Sequence, residues 1–370
     1  MGLADKLRQQ VTRFRPEDRP ALIEFQREVF GAQARQLDEE HLEWLLNRNP
    51  WQPIEGPQLW ICKKDGKVVG QQAGVPFHLK VGRRYCRASW AIDLMVDPRW
   101  RLRGVGPALS EVYTADNEIT VGLGISDAAY KAFLRAGWLD LGMLPLYVRP
   151  LDVNRMLEGR LPAGRRGPWV GHIASPVVRL LDVVGGTCAR WKGAVLQPIK
   201  QFDERVDALW DAVCGRYAVI ARRDFRSLHW RFDALPDRRD YRQFYLLEGD
   251  TLRGYAVIRM AVRHGAAAGI VVDYLAAPEW VRPLFARGVE YLRNVGAAAV
   301  YCTTLGPGVG AWTRPLGFIR RESGLRLMVR LGEAAQMLSR AVANARHWFI
   351  TRADSDVDYQ RRQWAEGRSV

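Results

Sequence analysis

The chain has 370 residues, 48% of them hydrophobic and 26% charged. This composition excludes a disordered or fibrous protein, and the length suits two domains that each bury a core. A formal net charge of +15 favours anionic partners such as phosphates, nucleic acid, acidic glycans or an anionic membrane face, although a solvated arginine-rich surface accounts for much of it.

The amino terminus, MGLADKLRQQ, lacks the apolar core of a signal peptide, and Lys6 stands where a myristoylation signal needs Ser or Thr. No apolar run reaches the roughly 18 residues of a membrane span, so a cytoplasmic protein is expected, with the inner membrane face as a peripheral option. LEWLLNRNP follows with Leu42, Trp44 and Pro50, and LWICKKDGKVVGQQAGV places Asp65-Gly66 between two apolar runs, a hairpin signal. A strand within AIDLMVDP (Ala91 to Pro98) runs into RWRLRGVGPALSEVYTADNE, a glycine turn opening a helix. FLRAGW then holds a further landmark, Gly137-Trp138. From Pro150 to Gln201 the chain is rich in breakers, as in LPAGRRGP, and suits a connector. Within it SPVVRLLDVVGG reads as a packed helix rather than a membrane-surface one, because its polar face is not strongly basic.

The same landmarks then recur. LHWRFDALP repeats the Leu-x-Trp and the later Pro at Leu228, Trp230 and Pro236, and Gly249-Asp250 sits between apolar runs like Asp65-Gly66. VVDYLAAP repeats AIDLMVDP with Asp273 in place of Asp93. From Asp93 to Gly137 and from Asp273 to Gly317 the spacing is 44 residues in both. One unit used twice is the simplest account, each copy reading helix, hairpin, central strand, helix, strand, helix, strand. The expected organisation is a first domain over 1–150, a connector over 151–204, a second domain over 205–332, and a carboxy-terminal helix and tail over 333–370.

Arg101-x-x-Gly104-x-Gly106 lets consecutive backbone N–H groups converge into a concave anion site, because glycine accepts the required dihedrals and admits close approach. Pro107 suits the first turn of a helix, whose dipole adds positive potential at the same place, so a phosphate or pyrophosphate is a natural occupant. Tight packing alone would also call for glycines here. The turn is neither a Walker loop nor a Rossmann fingerprint, and Arg99, Arg101 and Arg103 favour phosphate. In the second unit the corresponding PEWVRPLFARG has no glycine before the helix.

These residues resemble the GNAT acyltransferases, whose acetyl-CoA loop has the form Gln/Arg-x-x-Gly-x-Gly/Ala. The match lies on Arg101, Gly104 and Gly106 after Val96 and Pro98, and is supported by Arg13, Arg15 and Asp18 and by Gly137-Trp138. It covers about residues 11 to 150. The resemblance implies an α/β fold of two tandem GNAT-like domains, each a mixed, mostly antiparallel sheet flanked by helices, with a degenerate second copy, an arrangement similar to FemABX proteins. It implies acetyl-CoA as co-substrate, a primary amine as acceptor, possible envelope-polysaccharide chemistry, and no metal.

On the same resemblance, the strand residues Leu94, Met95 and Val96 would polarise the thioester, and Arg101, Leu102, Arg103, Gly104, Val105 and Gly106 would hold the pyrophosphate. Ser126 and Phe133 would border the cofactor. Phe133 stands where the family often has a tyrosine that protonates the departing thiolate, leaving Tyr130, one turn earlier, as a substitute donor or as a packing aromatic. Asp93, a carboxylate inside an apolar strand, is a general-base candidate, but Asp273 in the second copy argues equally for a structural role. The alternatives are aminoacyl transfer of the FemABX kind and a non-catalytic CoA-binding module. Cys62, Cys86, Cys188, Cys214 and Cys302 lack metal-ligand spacing and read as reduced thiols, and His41, His78 and His229 as surface or satisfied core residues.

Overall fold

The computed structural model describes residues 3–32, 34–158, 193–236 and 238–358. The stretch SPVVRLLDVVGG and Cys188 lie outside the described residues. In the first half a short helix α1 (Leu3–Gln9) leads into β1 (Val11–Arg13), α2 (Arg19–Phe30), α3 (Glu39–Leu42), β2 (Leu59–Lys64), β3 (Lys67–Val81) and β4 (Arg84–Val96). There follow α4 (Val105–Ala115), β5 (Ile119–Leu123), α5 (Asp127–Arg135), β6 (Leu139–Pro150) and α6 (Val153–Glu158). The β2–β3 turn is Asp65-Gly66, with φ of 49° and 78°, the positive values a two-residue hairpin connection requires.

The second half contains β7 (Val195–Ile199), α7 (Arg205–Val213), β8 (Val219–Ala221), α8 (Phe225–Leu228), β9 (Tyr241–Glu248), β10 (Thr251–Arg263) and β11 (Ala266–Ala276). It continues with α9 (Pro278–Asn294), β12 (Ala299–Thr303), α10 (Val309–Thr313), β13 (Ile319–Leu331), α11 (Ser339–Val342) and β14 (Trp348–Phe349). From the hairpin β9–β10 to β13 this repeats the order found from β2–β3 to β6. Val195–Ile199, inside the stretch read as a connector, pairs with β9 and joins the sheet.

The halves share one mixed, mostly antiparallel sheet with the order β1-β2-β3-β4-β5-β13-β6-β12-β11-β10-β9-β7, while β8 joins β3 to β14. Each half gives up its last strand: β13 lies between β5 and β6, and β6 lies between β13 and β12. The largest buried cluster spans both halves, from Leu22 to Ile350, and two smaller ones gather around Leu109 and around Trp138. The exchange leaves neither β5 nor β12 with an open edge.

The two tryptophans of the repeat meet across the halves. Trp44 and Trp230 stack at 4.8 Å between ring centroids and 9° between planes. Each indole N–H donates to the other's backbone carbonyl, at 2.8 and 3.0 Å. Both sit in π-helical turns, Glu43–Asn47 and His229–Asp233. Trp44→Phe keeps an aromatic ring but orphans the Trp230 carbonyl, so a loss of about 1–3 kcal/mol is expected in urea unfolding.

Candidate active site

The strands of the first half diverge where the glycine turn begins. β4 and β5 pair only from Ala88↔Ile119 to Trp90↔Val121, after which β4 continues alone on that side from Ala91 to Val96. Its other edge stays on β3 through a bulge, with Ala73 opposite Ile92 and Gln71 opposite Met95. Asp93 and Leu94 thus face Gln72 together. Asp93 has φ +50°, a left-handed conformation that aspartate tolerates better than most side chains. Gln72 holds the bulge by donating to the carbonyls of Ile92, at 2.8 Å, and Ala73, at 2.9 Å.

Beyond β4, the Asp97 carboxylate accepts from the Arg99 N–H at 2.8 Å, and the chain turns through Leu102 (φ +61°) and Gly104 (φ +86°) into α4. The backbone N–H groups of Leu102, Arg103, Gly104, Val105 and Gly106 have no acceptor among the described residues. This is a row of donors at a helix N-terminus. Arg101 and Arg103 are exposed beside it. Arg103 and Lys64 lie over Trp100, at 5.4 and 5.9 Å from the ring centroid. Arg99 differs from expectation: its guanidinium is bound to Asp97 and Glu28, and its hydrogen bond helps hold Asp97 below the usual carboxylate range. Leu7 of α1 packs against the turn, so closely that a Cβ on Gly104 would lie 2.9 Å from its Cδ1.

Leu94, Met95 and Val96 are half-buried on the divergent part of β4. Ser126 caps α5, accepting from the Ala129 N–H at 3.4 Å. Phe133 is buried, stacked on Trp138 at 4.5 Å and clustered with Met328 of the exchanged strand β13; Leu94 and Tyr130 pack at its edge. Tyr130 donates its hydroxyl to Asp140 at 2.8 Å, and the Arg326 guanidinium lies 4.3 Å from its ring centroid. The bond to Asp140 raises the phenol pKa.

Asp93 is brought together with residues that the sequence reading passed over. Its Oδ1 accepts from Gln36 at 2.8 Å and from Arg35 at 3.2 Å, and Arg35 also pairs with Asp356 from the far end of the chain. Burial pushes the Asp93 carboxyl up, with Arg35 opposing the shift. The adjacent glutamines in GQQAG were the one local signal of this cluster. Arg35 and Asp356 are 321 positions apart and gave none.

The second half has the same divergence but fills it. β11 and β12 pair from Ala268↔Ala299 to Val271↔Cys302, and the carboxy-terminal segment enters beyond. Leu305 and Ile350 exchange backbone bonds of 2.9 and 2.8 Å, and the Ala353 N–H donates to the Val272 carbonyl at 3.0 Å. Thr351 donates its hydroxyl to Asp273 at 2.7 Å. Asp273 also accepts from Tyr255 at 2.7 Å and from Arg223 at 3.3 Å. Where the first half has its turn, α9 starts directly at Pro278, with no glycine of positive φ.

Among the described residues no group of three or more His, Cys, Asp or Glu could hold a metal, and no helix is long and apolar enough to cross a membrane. The described cysteines, Cys62, Cys86, Cys214 and Cys302, are free.

No family model matches the sequence, and no curated protein resembles it in sequence. Solved structures do resemble it. A GCN5-related N-acetyltransferase from Anabaena variabilis superposes with a TM-score of 0.60 at 14% identity, covering 87% of this chain and 72% of that one. A probable N-acyltransferase from Enterococcus faecalis gives 0.59 at 10% identity over 87% and 72%. The N-myristoyltransferase of Saccharomyces cerevisiae with bound myristoyl-CoA gives 0.53 at 14% identity over 86% and 78%. The chain therefore has the fold of the GCN5-related N-acetyltransferases.

Proposed function

We propose that the protein is an acyl-CoA-dependent N-acyltransferase whose first half carries the reaction. The observation that carries this reading is the pairing of two features in that half alone: a divergence of β4 from β5, and a turn with five unpartnered N–H groups at its mouth. The N–H row from Leu102 to Gly106 holds the CoA pyrophosphate, and the divergence receives the pantetheine arm. Leu94 to Val96 lie beside the thioester, where strand N–H groups polarise its carbonyl. The acceptor nitrogen attacks that carbon, the C–S bond breaks, and the amine proton passes to Asp93 or a water while the thiolate takes a proton. The second half, its divergence filled by residues 350–353, is a scaffold that binds no CoA.

Acetyl-CoA is the proposed donor. The acceptor is a primary amine bound at the junction of the halves, an aminosugar or envelope-polysaccharide precursor among them, and the protein is proposed to work in the cytoplasm. Aminoacyl transfer of the FemABX kind is disfavoured because it has no use for the intact phosphate turn. Calorimetry with acetyl-CoA should find one site per chain; no binding, or two sites, would overturn the reading.

Tyr130 is a weak candidate for the proton donor, since its hydroxyl is committed to Asp140 and its pKa is raised. Tyr130→Phe is expected to lower turnover about 10-fold or less, at or below the low end of acid catalysis, with acyl-CoA affinity unchanged within about 2-fold. Stopped-flow thiol release measures the first quantity and calorimetry the second. A water then serves as the main donor.

A further inference from the structure

Each half contains an arginine held between two aspartates, and one carboxy-terminal segment supplies an aspartate to both. In the second half Arg223 binds Asp273 of β11 and Asp354, at 3.3 and 2.5 Å, and the three side chains are at most 7% exposed. In the first half Arg35 binds Asp93 of β4 and Asp356, and these side chains keep between 12% and 20% of their surface. The same triad is sealed in one half and open in the other.

The strand aspartates also differ in what is left over. Asp273 accepts at both oxygens, Oδ1 from Arg223 and from the Thr351 hydroxyl at 2.7 Å, and Oδ2 from the Tyr255 hydroxyl at 2.7 Å. At Asp93 both donors, Gln36 at 2.8 Å and Arg35 at 3.2 Å, converge on Oδ1, and Oδ2 has no partner among the described residues. A carboxylate held by one oxygen can take a proton on the other without leaving its place.

A guanidinium and a carboxylate pair best through two parallel hydrogen bonds, which here would cap both oxygens of Asp93. Asp356 prevents this. The Arg35 Nη2 is shared between Asp93 and Asp356, and Nη1 donates to the Asp356 carbonyl at 3.3 Å. The other oxygen of Asp356, Oδ1, accepts from the Ser355 hydroxyl at 3.0 Å, and Ser355 has φ +83°, a conformation that persists only where the surroundings impose it. Two residues to either side, Asp354 is fastened to Arg223, and Asp358 to Arg259 at 2.8 Å and to Arg352 at 2.7 Å. The second half grips the segment on both sides of Asp356, which reaches across to Arg35.

We propose that Asp356 is a positioning residue for the transfer reaction: by holding Arg35 it keeps the guanidinium on one oxygen of Asp93 and leaves the other open to the proton of the acceptor. The second half thus contributes to the site of the first. The catalytic part of this statement rests on the acyltransferase reading with Asp93 as base; the hold on Arg35 stands on the geometry alone.

The charges around Asp93 set the sign of the test. Burial raises its pKa, Arg35 lowers it and Asp356 raises it, while its neighbours Gln36, Gln71 and Gln72 are neutral. His41 of α3 stands in the same field with Arg231, and burial first and Arg35 second push its pKa down to about 4.

The Asp93 carboxyl is titrated by carbon NMR in the full chain, its signal identified by its loss in Asp93→Asn. Asp356→Asn should move the midpoint to lower pH by about half a pH unit or more, and Arg35→Gln should move it to higher pH, through loss of a like and of an opposite neighbouring charge. Asp356→Glu, which restores the charge, should stay closer to the native midpoint. Acetyl-CoA hydrolysis, with water in place of the unidentified acceptor, reads the catalytic part. There Asp356→Asn should lower the plateau rate about 10-fold, a fraction of a general base's contribution, and shift the rising limb with the NMR midpoint, while calorimetry finds acetyl-CoA affinity within about 2-fold. His41→Gln should leave midpoint and limb in place. A midpoint unmoved in folded Asp356→Asn, moved the same way in Arg35→Gln, or moved with the plateau rate unchanged overturns the proposal. A limb that survives Asp93→Asn, or that disappears in His41→Gln, overturns Asp93 as the base instead, and the NMR midpoints still report on the hold of Asp356.

Discussion

Gly104→Asp should abolish acyl-CoA binding, with affinity falling by about 1000-fold or more, equivalent to roughly 4 kcal/mol. Three effects add. The left-handed φ of +86° costs an ordinary side chain about 1–2 kcal/mol. The new Cβ would press on Leu7 at 2.9 Å and displace α1 from the turn. The introduced carboxylate then sits among the turn's backbone donors and would repel a pyrophosphate bound there. Gly104→Ala, which brings the first two effects without the charge, should lose about 10-fold. Gly106→Ala should fold normally, since its Cβ would meet Val96 at an ordinary 3.6 Å and its φ is not positive. Calorimetry gives the affinities and circular dichroism confirms folding. Unchanged affinity in a folded Gly104→Asp protein would remove the turn from the cofactor site.

The second large effect is expected at Asp93. Asparagine accepts a left-handed φ and can still accept from Gln36, so Asp93→Asn preserves the bulge while removing a proton acceptor. Turnover should fall about 100- to 1000-fold, within the usual contribution of a general base, and acyl-CoA affinity should stay within about 2-fold. The sign of the pH effect follows from the upward shift. A base must be ionised to act, so kcat/KM of the native protein should rise as pH climbs through the raised Asp93 pKa, and the variant should lack that limb. A variant of native activity, or one with the rising limb intact, would make Asp93 a structural residue like Asp273.

The contrast between the two aspartates explains how far local sequence reached. Both stand in apolar strands, β4 and β11, and the sequence set them side by side by spacing alone. Their surroundings were not legible in it. Asp273 is 2% exposed and sealed by Arg223, Thr351 and Tyr255, whereas Asp93 keeps 12% of its side chain exposed beside a divergent strand edge. Those partners come from distant segments, and a single sequence carries no record of which of its many arginines will meet which carboxylate. Arg99 shows the same limit, since a cation two residues from the glycine turn was claimed by Asp97.

By itself the sequence determined the order of the main elements, the hairpin turns and the glycine turn that opens α4, because each depends on dihedral preference and periodicity over a few consecutive residues. The tertiary structure alone decided that β6 and β13 change places, that residues 350–353 close the second divergence, and that Arg35 and Asp356 surround Asp93. Strand exchange leaves the local pattern of each strand unchanged, so it is invisible to periodicity. It is settled by the edges left unpaired and the apolar area buried when the whole chain closes on itself.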